Sequence, residues 1–180
     1  MRRFVKDFLL PMAVAVALAF VIQAAVAKPY EIPTPSMVPT IKPHDRIIAN
    51  RLIYRFRSID RGDIIVFHPP PSATATCGDA GGGDVPFVKR VIGLPGDNVE
   101  VRDGQTFVNG KPYVVEKALT PNYEMKWPTV PKGQLLVLGD NRPGSCDAHQ
   151  WKPNPFVPQD SVIGQAEVIY WPLSHLSFLN

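Results

Sequence analysis

Beyond its first six residues the chain has no run of basic side chains, and its formal net charge is only +3 over 180 residues. A nucleic-acid surface needs clustered Lys and Arg to neutralise phosphates, so nucleic acid is not an expected partner. The two cysteines, Cys77 and Cys146, form no CxxC pair, and the four histidines, His44, His68, His149 and His175, lie far apart. That pattern lacks metal-ligand spacing, and neither a metal nor a cofactor is expected. Internal repeats are also absent.

One stretch lacks charge altogether. Phe8 to Ala27, "FLLPMAVAVALAFVIQAAVA", has a single strongly polar residue, Gln23. At ~1.5 Å per residue it reaches ~30 Å, the thickness of a bilayer's hydrocarbon core. Arg2, Arg3 and Lys6 precede it, and positive flanks stay cytoplasmic. This predicts a cytoplasmic N-terminus (1–7), a transmembrane anchor (8–27) and an extracytoplasmic domain (28–180). A cleaved signal peptide is the alternative, since Ala25 to Ala27 fits the small-x-small pattern, although the run exceeds the usual ~7–15-residue apolar core. Both readings export the rest of the chain.

Beyond that run the chain is rich in short apolar segments bounded by Gly, Pro, Asn and Asp: "DRIIAN", "GDIIVF", "FVKRVIGL", "NVEVRDGQTFVNGKPYVV", "GQLLVLGDN" and "SVIGQAEVIYWP". Rich in Val and Ile and too short for stable helices, they predict a mainly β domain. Asp103-Gly104 and Asn109-Gly110 predict tight hairpin turns. "RLIYRF" (51–56) fits either a strand or one helical turn. Residues 68–86 are Pro-, Gly- and small-residue-rich and predict a surface loop or insertion. Residues 143–160 are irregular too, but carry Ser, Cys, Asp, His and Trp, and polar variety on a loop suggests function.

"PTPSMVPT" (33–40) places Ser36 among Pro33, Pro35 and Pro39. Proline restricts its own φ and the residue before it, so the serine is held on a stiff, non-helical segment. A rigid linker leaving a membrane would look similar. A serine nucleophile needs a base, usually a histidine; here His149, two residues after Asp147, has the best context, yet it also fits a solvated pair. Lys89 is the other candidate. Strand alternation puts Phe87, Lys89 and Val91 on one face and Arg90 on the other. Lysine acts as a base only when burial lowers its pKa by roughly two to three units. A stem packed on the sheet with its ammonium reaching water is the structural alternative.

The motifs "PSMVPT", "RGDIIVF" (61–67), "KRVIGLPGD" (89–97) and "GDNRPGSCD" (139–147) resemble, in order and spacing, the conserved boxes of type I signal peptidases, the bacterial leader peptidases. The resemblance runs from the anchor to "VIYWPLSHL". It implies a fold of twisted antiparallel sheets behind one N-terminal transmembrane helix, and a Ser/Lys serine protease with Ser36 as nucleophile and Lys89 as general base. It also implies that the Thr34 hydroxyl, with the Ser36 N–H, stabilises the oxyanion, and that Ser145 orients the lysine ammonium. Asp147 falls on a structural acidic position, with Arg142 as a further structural support and with His149 where the family usually carries its arginine partner. A neutral imidazole would be a weaker and pH-sensitive partner there. Ile32, Val88 and Met37 match pocket positions, where apolar walls beside the nucleophile would admit small side chains at P1 and P3.

The implied function is removal of signal peptides from exported preproteins, by an enzyme anchored once in the cytoplasmic membrane; its partners are preprotein signal peptides and the phospholipid bilayer. A specialised Ser/Lys processing peptidase of narrow range and a non-catalytic anchored β binding domain are the rivals. The short chain between residues 102 and 131 implies a second subdomain reduced to a hairpin or two. Cys77 and Cys146 both fall in irregular stretches of the exported part, where thiols oxidise, which predicts a disulfide between them.

Overall fold

The structure, a computed structural model, describes residues 8–16, 26–78 and 85–179. Residues 8–16 are helical. The expected N-terminus 1–7 and residues 17–25 of the expected anchor lie outside the described residues, and among those described no helix is long and apolar enough to cross a membrane.

The exported part is built on strands, named in chain order: β1 (Ala27–Glu31), β2 (Arg46–Asn50), β3 (Ile64–Phe67), β4 (Phe87–Gly93), β5 (Val99–Arg102), β6 (Gln105–Val108), β7 (Lys111–Pro112), β8 (Met125–Lys126), β9 (Gln134–Leu138), β10 (Val157–Pro158), β11 (Val162–Trp171) and β12 (Ser177–Phe178). The larger sheet runs β1-β2-β11-β3-β4-β9-β10, with β12 beside β11, and the smaller runs β7-β6-β5-β8. Every pairing is antiparallel. The mainly β fold is thus present.

β3, "IIVF", is buried along its whole length because both faces of the sheet are covered. Ile65 and Phe67 face a core containing Val91, Leu136 and Trp151. Ile64 and Val66 face a second core containing Met37, Ile41 and Ile47. The two turn dipeptides act as expected: Asp103 and Gly104 have φ of 51° and 70°, Asn109 and Gly110 of 53° and 76°. Positive φ at both central positions matches the strand twist of a two-residue hairpin.

The 51–56 stretch takes its helical alternative, a 3-10 turn over Ile53–Arg55, and the smaller sheet starts at Val99. Two segments differ from expectation. β1 starts at Ala27, the last residue of the expected anchor. The expected loop 68–86 contains a helix, α1 (Pro71–Cys77), and its residues 79–84 lie outside the described ones. Pro71 opens α1 at its first position, where a missing N–H costs nothing. Tertiary contacts hold it: Ala73 is fully buried, and the Ser72 hydroxyl donates to the Asn154 carbonyl at 2.6 Å.

Candidate active site

Ser36 sits in a single 3-10 turn, Pro35–Met37, flanked by extended Thr34 and Val38. Met37, fully buried, plugs this turn into the core beside Ile32 and Ile41. The Val38 N–H donates to the Pro35 carbonyl (3.1 Å) and the Ile41 N–H to the Met37 carbonyl (2.9 Å). From the opposite side the Asn141 N–H donates to the Ser36 carbonyl (3.1 Å), and Asn141 Nδ2 to that of Pro35 (3.1 Å). The stiffness read in the prolines is therefore completed by bonds from a distant loop. The Thr34 hydroxyl donates to Ser36 Oγ at 3.2 Å.

Lys89 lies on β4 opposite Ile65 of β3 and is only 4% exposed. Its Nζ is 5.8 Å from the centre of the Phe87 ring. Burial pulls its pKa from the usual 10.5 down to about 8, against the opposing pull of Asp147 and Asp140. A buried cation has no water shell, so its neutral form gains relative to the charged one. Arg90, the next residue, forks onto Asp140 through Nε (2.9 Å) and Nη2 (2.7 Å) and also donates from Nη1 to the Gly62 carbonyl (2.8 Å). The Thr40 hydroxyl adds a bond of 2.5 Å to the same carboxylate. Asp140 is thus compensated in place, and Lys89 keeps its own character.

Ser36 and Lys89 line one groove of about 250 Å³, whose walls include Ile32, Thr34, Met37, Val88 and the residues 85–87. Ser145 is not in the wall: it is 1% exposed, behind the groove, with a side-chain oxygen that has no hydrogen-bond partner. Gly139 explains how tightly this region is packed. A Cβ there would overlap both Ser145 Oγ and the Ser36 carbonyl oxygen.

Fully buried Asp147 accepts from the Gly139 N–H through Oδ2 (2.8 Å) and from the His149 N–H (3.2 Å) through Oδ1, which also lies 2.7 Å from His149 Nδ1. Arg142, expected as structural support, donates to the Thr106 hydroxyl at 2.6 Å and ties its turn to β6. Among the described residues it makes no ion pair. A disulfide joins Cys77 and Cys146, with Cα atoms 5.9 Å apart, and both cysteines line the groove. It fastens α1 to the loop that carries Ser145. Three contributors went unread in the sequence: Gly139, Asp140 and Tyr123. The first two stand in the "GDN" run, whose glycine and acid signal a close approach and a buried pair; Tyr123 has no local signal. Among the described residues no group of three His, Cys, Asp or Glu side chains could hold a metal ion.

A hydroxyl on a rigid turn, a buried amine close to neutrality and an apolar groove are together suited to nucleophilic attack on an extended peptide. The chain is also similar in sequence to known proteins. The chain is 40% identical over 173 residues to a probable signal peptidase I-1 of Synechocystis sp., covering 96% of this chain and 85% of that protein. It is 38% identical over 164 residues to thylakoidal processing peptidase 1, chloroplastic, of Arabidopsis thaliana, covering 91% of this chain and 47% of that one. A crystal structure of a signal peptidase I from Enterococcus faecalis is similar at a TM-score of 0.46 and 32% identity, over 61% of this chain and 97% of the other. Residues 5–171 match the family described as "Signal peptidase, peptidase S26", and the chain belongs to that family.

Proposed function

We propose that this chain is a membrane-anchored serine endopeptidase that removes N-terminal signal peptides from exported preproteins, with Ser36 as nucleophile and Lys89 as general base. The observation that carries the reading is the convergence of Ser36 and a buried Lys89 with a pKa of about 8 on one groove. At pH 8 about half of such an amine is neutral, against less than ~1% of an ordinary lysine.

In the reaction Lys89 Nζ takes the proton of Ser36 Oγ as the oxygen attacks the scissile carbonyl. The Ser36 N–H and the Thr34 hydroxyl donate to the oxyanion, a contribution whose removal typically costs ~10²–10³ in rate. Protonated Lys89 then gives its proton to the leaving amine, which departs as the new N-terminus of the mature protein. In the second half the neutral lysine deprotonates a water that hydrolyses the ester of Ser36 and releases the signal peptide. In this reading Ser145, whose buried hydroxyl makes no other hydrogen bond, orients the amine. Ile32 and Val88, both on the groove wall, leave room for small side chains at P1 and P3.

In this proposal the apolar run from residue 8 to residue 26 forms the single anchor, with the N-terminus cytoplasmic and the chain from β1 onward outside. Trp171, Leu173, Leu176 and Phe178, exposed at 50–80%, support a seat on the bilayer, where aromatic and apolar side chains are tolerated. The test is cleavage of one preprotein by the full chain in detergent. Ser36→Ala and Lys89→Ala should each abolish cleavage without unfolding the protein, because base and nucleophile act as a unit. Cleavage by Lys89→Ala above a few per cent of the wild-type rate would refute the dyad.

A further inference from the structure

Beside the groove, but off its walls, three side chains from two segments, Tyr123 from one and Asp147 and His149 from the other, form one clamp. The Tyr123 ring stacks on the His149 imidazole with centres 4.1 Å apart and planes 5° from parallel. His149 Nδ1 lies 2.7 Å from Asp147 Oδ1, while its Nε2 lies 3.0 Å from Gln150 Nε2. The ring is thus held at both edges, Nδ1 facing a carboxylate oxygen to which it donates and Nε2 facing the Gln150 amide. Asp147 passes the restraint on, since its other oxygen holds the Gly139 N–H at 2.8 Å. Gly139 in turn leaves no room for even one carbon between itself, the Ser36 carbonyl and Ser145.

We propose that His149 and Tyr123 are positioning residues for the Ser36–Lys89 reaction: the stacked tyrosine fixes the imidazole, and the imidazole holds Asp147 where it both braces Gly139 and partly offsets its own charge toward Lys89. This rests on the function proposed above and adds to it two residues that touch neither substrate nor reacting atoms.

The electrostatic half is set by the surroundings of Lys89. Two carboxylates, Asp147 and Asp140, act on it and favour its charged form. Asp140 is compensated by Arg90 and Thr40. Asp147 faces Tyr123, whose own ionisation burial suppresses, and Arg142, whose guanidinium acts on it through space while donating its hydrogen bond to the Thr106 hydroxyl. Among the described residues its side-chain donor is His149 alone, the other bonds coming from backbone N–H groups. Removing that donor leaves a barer carboxylate near Lys89. The amine then holds its proton to higher pH, and the base is lost where the wild type still has it.

The experiment uses the full chain in detergent with one preprotein. kcat and KM are measured from pH 6 to 10 for wild type, His149→Ala, His149→Asn, Tyr123→Ala and Tyr123→Phe. Asn carries an N–H near the place of Nδ1, and Phe keeps the stacked ring. We expect His149→Ala and Tyr123→Ala to lower kcat about 10–100-fold, the cost of a misplaced reacting group, with KM within about twofold. Their acid limb should move to higher pH by about half a unit. His149→Asn and Tyr123→Phe should recover most of kcat and return the limb to its wild-type position. An unmoved limb in the alanine variants, or no recovery in the conservative ones, overturns the inference. If His149→Ala fails to fold, Tyr123→Ala and the two conservative variants decide in the same way. Lys89→Ala, run in parallel, separates this outcome from failure of the dyad: an active Lys89→Ala defeats the proposed function, whereas an inactive one with an unmoved limb in the clamp variants defeats only the clamp.

Discussion

Gly139→Ala asks for one methyl group in a space that has none. The new Cβ would overlap Ser145 Oγ and the Ser36 carbonyl oxygen and would lie 2.6 Å from Ser145 Cβ. Ordinary contact begins near 3.4 Å, and a packed interior has no slack to absorb the difference, so something must move by about 1 Å. Neither neighbour is the free end of a long side chain. The Ser36 carbonyl already accepts from the Asn141 N–H, and Ser145 is buried next to the disulfide-bonded Cys146. The displacement therefore falls on the backbone of the nucleophile's turn. Overpacking of this kind typically costs about 1–3 kcal/mol of stability, and a 1 Å error in a reacting group costs about 10²-fold in rate. Thermal unfolding and single-turnover cleavage of one preprotein read the two effects separately. Gly96→Ala is the control: Gly96 has φ of +89° but nothing within 4 Å of a built Cβ, so it should lose stability and keep its rate. A Gly139→Ala enzyme with single-turnover cleavage within threefold of wild type would refute the claim that this glycine sets the position of Ser36.

Further perturbations probe the same geometry. Cleavage should rise with pH through about 8 as Lys89 loses its proton, and a rate that falls steadily from pH 6 to 9 would count against a lysine base. Lowering the Lys89 pKa from 10.5 to about 8 in the fold makes its burial destabilising by up to about 3 kcal/mol; that penalty is absent above the unfolded value, grows as pH falls and is complete below the folded one. Lys89→Met should accordingly be more stable than wild type in urea at pH 7, with the gain vanishing toward pH 10.5, and a gain independent of pH would contradict it. Reducing Cys77–Cys146, 69 residues apart in sequence, should lower stability by up to about 4 kcal/mol on the chain-entropy estimate, and an unchanged melting curve after complete thiol labelling would exclude that contribution. Arg90→Ala strands Asp140, which is 0% exposed, and should cost about 3–5 kcal/mol; a loss below 1 kcal/mol would show that water reaches the carboxylate.

The strands were legible where they are buried on at least one face, because burial is what writes Val and Ile into short runs. β1 and α1 were not, for opposite reasons. β1, "AKPYE", carries a proline and two charges, and as the edge of the large sheet it pairs on one side with β2 and is half open on the other. Edge position tolerates that composition, so nothing in it alternates. α1, "PSATATC", has small side chains and no apolar stripe. Its helicity comes from contacts that no local pattern records: Ser72 on Asn154, buried Ala73, and the bond from Cys77 to Cys146.

The site divides along the same line. Ser36 and Lys89 could each be singled out from their neighbours, prolines around one and an apolar strand around the other, but each kept a bland alternative. Only the fold brings both to one groove, because β4 and the 35–37 turn meet through a sheet whose intervening strands are far apart in the chain. The residues left unread are those that act at second hand. Asp140 looks like a turn acid until Arg90 closes on it, and Tyr123 lies in an irregular stretch where only its ring plane, parallel to His149, gives it a role. Side chains that touch the reacting atoms are constrained in type, since a base must titrate and a nucleophile must carry a hydroxyl or thiol. Those that hold them in place are constrained in shape alone, and a shape is specified by partners distant in sequence. For the same reason His149 reads as a weakened arginine when only its charge is considered. With Gln150 on one nitrogen, Asp147 on the other and Tyr123 across its face, the imidazole instead fits as a compact, flat donor oriented from three sides, a role set by its shape as much as by its charge.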